Sequence, residues 1–95
     1  MNETLFAFSA ALEALKQGLC IWRTGWNGVQ SGKVMYLELQ EPDRHSKMTL
    51  PYIYLVTGDG KNNNLVPWLA SQTDVLAEDW VISNKTPMQL EGVDA

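Results

Sequence analysis

Phe8, Ala11, Leu12 and Leu15 recur at spacings of three, one and three, the rhythm that gathers side chains on one face of an α-helix. Ser9 is a candidate N-cap for this helix, with Thr4 as an earlier alternative start; Lys16 suits the last turn, and Gly18 suits a left-handed residue just past the end. Leu19 to Arg23 is a short apolar run that reads as a strand, and Gly25-Trp26-Asn27-Gly28 follows as a turn signal. From Lys33 to Gln40 the chain alternates. Met35, Leu37 and Leu39 fall on one side and Val34, Tyr36 and Glu38 on the other, which predicts a strand with one clearly apolar face. Residues 41–47 form a charged loop, and Tyr52 to Val56 is a strand rich in aromatic and β-branched residues. Thr57 to Gly60 is a turn extended by Lys61 to Asn64, and Leu65-Val66 is a short strand stopped by Pro67. Residues 68–79 contain a capped helical turn, with Ser71 or Thr73 as the cap, before a last strand at Trp80 to Ile82.

These elements predict an α+β fold: an N-terminal helix packed on a curved, mainly antiparallel sheet of about five short strands. At 95 residues the chain has room for one domain. Residues 1–84 are expected to form a single ligand-binding domain, and 85–95 a flexible tail that is polar and carries Pro87 and Gly92. The net charge of -4, with seven basic side chains, argues against a DNA or RNA polymer as partner, because neutralising many phosphates drives such binding. A small anionic ligand in an enclosed pocket stays open, since local donors outweigh net charge there. One Cys and one His cannot make an internal disulfide or a Cys/His zinc cluster, and the composition fits a reducing cytoplasm. No apolar run approaches the ~20 residues of a membrane span, and Glu3 and Glu13 argue against reading the N-terminus as a signal peptide.

The search for reactive groups returns little. Cys20 sits in an apolar strand and reads as a small buried hydrophobe; His45 lies in a charged loop and reads as solvated. Gly32-Lys33 and Gly60-Lys61 lack the Ser or Thr of a phosphate-binding loop, and the segment from Asp59 lacks the late Glu of a calcium loop. Glu78 and Asp79 are adjacent, so they point apart and make no acid–base pair. Tryptophan stands out instead: four residues in two blocks, Trp22-Arg23-Thr24-Gly25-Trp26-Asn27-Gly28 and Trp68 to Asp74 followed by Trp80. Flat rings beside small polar side chains suit recognition of a nucleobase and a sugar. The alternative for Trp22 and Trp80 is a place in the core of a small sheet. Trp26 fits core and site equally, and Asp74 is as well suited to capping a helical turn as to holding a ligand.

The motifs Leu15-Lys16-Gln17-Gly18, Arg23-Thr24-Gly25-Trp26-Asn27-Gly28 and Val66-Pro67-Trp68-Leu69-Ala70-Ser71-Gln72-Thr73-Asp74-Val75-Leu76-Ala77-Glu78-Asp79-Trp80 resemble the second family of phage Thoeris anti-defence proteins. That resemblance covers most of residues 5–83. It implies a non-enzymatic sponge, acting in the cytoplasm of the infected bacterial host, that holds cyclic ADP-ribose isomers, and in some members cyclic dinucleotides, without degrading them. It further implies a homotetramer with ligand sites at subunit interfaces. With the tryptophan blocks, it gives a candidate ligand-binding set of Trp22, Arg23, Trp26, Asn27, Trp68, Ser71, Gln72, Thr73 and Asp74, with no catalytic residue, metal or cofactor expected. Two other classes compete: an enzyme that cleaves the same signal, and an interaction module whose tryptophans are all core.

Overall fold

The computed structural model describes residues 4–27 and 33–87. Its elements run α1 (Phe8–Lys16), β1 (Cys20–Arg23), β2 (Val34–Gln40), β3 (Tyr52–Gly58), β4 (Asn63–Pro67), α2 (Gln72–Leu76) and β5 (Trp80–Ser83). The five strands form one sheet in the order β4-β3-β2-β1-β5, every neighbouring pair antiparallel. Strands β1 to β4 are a meander. The chain then returns from the β4 edge, through Trp68 and α2, to add β5 beside β1. The α+β class and the helix-on-sheet architecture are those expected from the periodicities.

Helix α1 buries Ala11, Ala14 and Leu15 against Ile21, Leu37 and Trp80, which together make the main core. Its C-terminus closes as a Schellman motif. The N–H groups of Gly18 and Leu19 donate to the carbonyls of Leu15 and Ala14, both at 3.0 Å, and Gly18 takes φ 92°. The N-terminus departs from expectation. The capping position is Ala7, with no side-chain cap, and Ser9 lies inside the helix. The cause is the segment before it: Phe6 and Trp80 exchange two backbone hydrogen bonds, at 2.9 and 3.0 Å, and this bridge to β5 fixes where the helix begins.

Strand β2 also differs from its pattern. Leu37 and Leu39 face α1 as expected, but the other side is not simply polar. Val34 is buried there, and Tyr36 packs against a second apolar cluster of Cys20, Trp22 and Val81. The sheet therefore has apolar content on both faces, while α1 covers one. Strand β4 is longer than the Leu65-Val66 pair. Pairing of Asn63 with Gly58 and Asn64 with Thr57 draws two asparagines into the ladder against their local preference for turns. The turn shrinks accordingly to residues 59–62, where the Asp59 carboxylate accepts from the N–H groups of Lys61 (2.9 Å) and Asn62 (2.7 Å). Beyond β5, the Cys20 thiol donates to the carbonyls of Ser83 and Lys85, each at 3.4 Å, and Pro87 is buried, so ordered packing continues to the end of the described chain. Residues 88–95 of the expected tail lie outside the described residues.

Candidate functional site

The tryptophan blocks converge where β1 ends and β5 begins. Arg23, the last residue of β1, stands opposite Trp80, the first of β5. Strand β1 stops in a tight turn: the Trp26 N–H donates to the Arg23 carbonyl at 3.0 Å, and Gly25 takes φ 95°, a conformation that costs a glycine nothing. The turn carries the Trp26 ring back over the end of the sheet. There it meets Trp80 edge-on, with ring centroids 5.4 Å apart. Trp68 meets the same ring T-shaped at 6.2 Å, and Phe8 packs against Trp68 and Trp80. Trp80 is fully buried at the centre of this aromatic group; Trp26 and Trp68 are half-buried at its rim.

The polar part is built around Arg23. Its Nε donates to Asp79 at 2.9 Å and its Nη1 to Asp74 at 3.0 Å, so one guanidinium is held between two carboxylates. Asp79, and then Asp74, hold the Arg23 pKa above its usual value. Asp74 is itself fixed by α2. The Ser71 hydroxyl accepts from the Asp74 N–H at 3.1 Å, and the Asp74 carboxylate faces the Ser71 N–H in a capping box. The Trp80 indole N–H donates to the Asp74 carbonyl at 3.0 Å, which ties helix α2 to the aromatic centre. Thr24 completes the cluster, with its N–H and its hydroxyl both donating to the Asp79 carbonyl, at 3.0 and 2.9 Å. One cation against two anions leaves the cluster net negative, with side chains between 17% and 34% exposed.

The sequence-predicted residues separate into groups. Arg23, Trp26, Trp68 and Asp74 come together as described, and Ser71, Gln72 and Thr73 lie exposed on the first turn of α2 beside Asp74. Of the two cap candidates Ser71 takes the role. Thr73 instead accepts a hydrogen bond from the Ser71 hydroxyl at 3.3 Å. Asn27 spends its amide on backbone, its Nδ2 donating to the Met35 carbonyl and its Oδ1 accepting the Met35 N–H, so it latches the turn to the start of β2. Trp22 points to the opposite face of the sheet, 7% exposed among Cys20 and Val81. Gly28 lies outside the described residues. Asp79 and Thr24 were missed by the sequence reading, although both stand inside the quoted motifs. The signal that finds them is the register of β1 against β5, which puts Arg23 beside the chain entering Trp80.

A separate cleft of about 190 Å³ opens on the face away from α1, walled by Gln40, Met48, Tyr52, Tyr54, Leu65 and Pro67. Near it the Tyr54 hydroxyl donates to Glu38, and burial together with that carboxylate pushes the Tyr54 pKa up. Among the described residues, no three His, Cys, Asp or Glu side chains are grouped to hold a metal ion. Cys20 is buried, and burial pushes its thiol pKa up to about 11. No helix among the described residues is long and apolar enough to cross a membrane.

The chain is a small α+β domain, a helix on an antiparallel five-stranded sheet, with an aromatic and carboxylate-flanked cluster at one sheet end. Its relatives give its family. Residues 6–83 match the model of the Thoeris anti-defense 2-like domain. The chain is also 38% identical over 93 residues to Thoeris anti-defense 2 of Bacillus phage SP01, a match covering 84% of this chain and 97% of that protein. The chain belongs to the Thoeris anti-defence 2 family.

Proposed function

We propose that this protein is a sponge for the nucleotide signal of the Thoeris system. It binds a cyclic ADP-ribose-type molecule, and as a second ligand class cyclic dinucleotides, and holds them intact so that the effector is not activated. It works without catalysis, in the cytoplasm of the infected bacterium, as a homotetramer. The observation that carries this reading is the family match across residues 6–83, which spans both tryptophan blocks and every residue of the Arg23 cluster. The cluster's chemistry supports it and orients the ligand. A guanidinium already shared by two carboxylates attracts a phosphate poorly, whereas Asp74 and Asp79 are good acceptors for ribose hydroxyls or base N–H donors. The sugar or base end of the ligand therefore lies at Arg23 and the rim of Trp26 and Trp68, with its phosphates directed away.

The test incubates the protein with excess cyclic ADP-ribose isomer, heats it, and quantifies the released nucleotide by mass spectrometry. Full recovery of intact ligand, able to activate the effector again, supports sequestration. Conversion beyond one equivalent makes the protein an enzyme and overturns the reading. A thermal-shift screen separates both from an interaction module, because a ligand at 100 times its dissociation constant stabilises the fold by about 2.7 kcal/mol.

A further inference from the structure

The face of the sheet away from α1 holds a second polar centre. In β2 and β3, Leu37, Leu39, Ile53 and Leu55 pack toward α1, so Glu38, Gln40, Tyr52 and Tyr54 stand on the other side. The register sets Glu38 beside Tyr54 and Gln40 beside Tyr52, and β4 adds Pro67 next to Tyr54. Gln40, Tyr52, Tyr54 and Pro67, with Leu65 and with Met48 from the loop before β3, wall the cleft of about 190 Å³. That is far more than the ~15 Å³ that lodges a single water.

The polar atoms decide what fits. The Gln40 amide donates to the Glu41 carbonyl, and the Tyr54 hydroxyl donates to Glu38. Both donors are spent within the protein. They leave acceptors at the cleft: the Gln40 amide oxygen and, behind the Tyr54 ring, the Glu38 carboxylate. Among the described residues that carboxylate meets Tyr54 and no Lys or Arg. A phosphate finds little to hold it here, whereas a cation is attracted. The rings agree. Tyr52 and Tyr54 stand with centroids 6.3 Å apart and planes at 53°, two sides of an open corner. A phenol that donates to a carboxylate is polarised toward its anion, which makes its ring face a better partner for positive charge. Met48, Leu65 and Pro67 add apolar side chains, against which a primary ammonium would leave N–H donors unmet. A fully methylated ammonium carries no such donor.

We propose that this cleft is a site for a small diffusible quaternary ammonium ion, a trimethylalkylammonium of the choline kind. Its methyl groups contact the Tyr52 and Tyr54 rings, and its charge faces Glu38. Trp80 and its aromatic neighbours lie on the α1 side of the sheet, and the cleft uses none of them, so the site does not rest on the nucleotide reading.

The experiment titrates the parent chain, without nucleotide, with choline and separately with its neutral isostere in which carbon replaces the nitrogen. Binding is followed by amide NMR shifts of isotope-labelled protein. Choline should saturate with a dissociation constant in the millimolar range, shifting Tyr52 and Tyr54, and the isostere should bind about tenfold more weakly. Glu38→Gln, which keeps an acceptor for the Tyr54 hydroxyl, should weaken choline about tenfold and leave the isostere unchanged. Tyr52→Leu removes one ring and should weaken choline more than the isostere. Melting curves show that both variants are folded, and the comparison of choline with its isostere on the parent chain needs no variant. Equal affinity for the two overturns the proposal and makes the cleft an apolar hollow. The absence of saturable choline binding overturns it too, as does a folded Glu38→Gln that holds choline as tightly as the parent.

Discussion

Asp74 stands at the junction of three separate interactions: its N–H and carboxylate cap α2, its carboxylate meets Arg23, and its carbonyl receives the Trp80 indole. Removing it therefore tests more than ligand binding. Asp74→Ala keeps the backbone N–H that Ser71 caps but loses the carboxylate that faces the Ser71 N–H and accepts from Arg23, so it should cost about 1 kcal/mol, a fall of roughly 4–8 °C in melting temperature, whereas Asp74→Asn keeps an acceptor oxygen and should lose less. If a ligand is bound by the carboxylate, Asn should lose binding as Ala does, and isothermal titration of the two variants separates the roles. Trp26 needs the same care. Its ring packs on Trp80 and on both apolar clusters, so Trp26→Ala should destabilise by up to about 3 kcal/mol, and Trp26→Phe is the cleaner probe of stacking. The capping role of Asp74 was legible from Ser71 three residues before it. Its partnership with Arg23 was not, because nothing in local spacing selects a carboxylate 51 residues away.

At the scale of elements, the strands were readable wherever one face alternates, as in β2, and wherever β-branched and aromatic residues cluster, as in β3. The full length of β4 was not readable, because pairing overrides the turn preference of Asn63 and Asn64, and neither was the second apolar face of the sheet at Tyr36, because alternation in β2 marks only one face as apolar. The two helices give a matched test of what capping does here. Ser9 lies inside α1 and caps nothing, so Ser9→Ala should change stability by less than about 0.5 kcal/mol. Ser71 caps α2 with its side chain, so Ser71→Ala should cost about 1 kcal/mol. Chemical denaturation of both variants decides this; equal losses would mean that the Phe6–Trp80 bridge does not set the start of α1.

For the molecule as a whole, the pH response should be asymmetric. Cys20 and Tyr54 both have raised folded-state pKa values, and for both the neutral form is the one the fold accepts. Their contribution is fully present below the unfolded pKa values, near 9 for the thiol, and is lost as pH rises through the folded ones, about 11 for Cys20. Stability should thus fall by roughly 2–3 kcal/mol from the thiol alone between pH 9 and 11. Melting curves across that range, with Cys20→Ala as control, should show the loss shrink in the variant. Asp59 acts at the other end. The backbone N–H groups of Asn62 and Lys61 lower its pKa, so its anchoring of the β3–β4 turn persists at neutral pH and weakens as pH falls through its depressed value.

The return of the chain from β4 to β5 also sets an order of events in time. The β2–β3–β4 meander joins neighbours in sequence and can form early, whereas Arg23 meets Asp79 only when a loop 56 residues long has closed. The aromatic and carboxylate cluster is then expected to form late in folding, after the transition state. A ligand bound there should slow unfolding and leave the refolding rate unchanged. Stopped-flow refolding and unfolding with and without nucleotide would read this directly. If the cluster is the ligand site proposed above, a chain still on its way to the folded state has no site with which to capture a ligand, and binding would be read as a longer lifetime of the folded state.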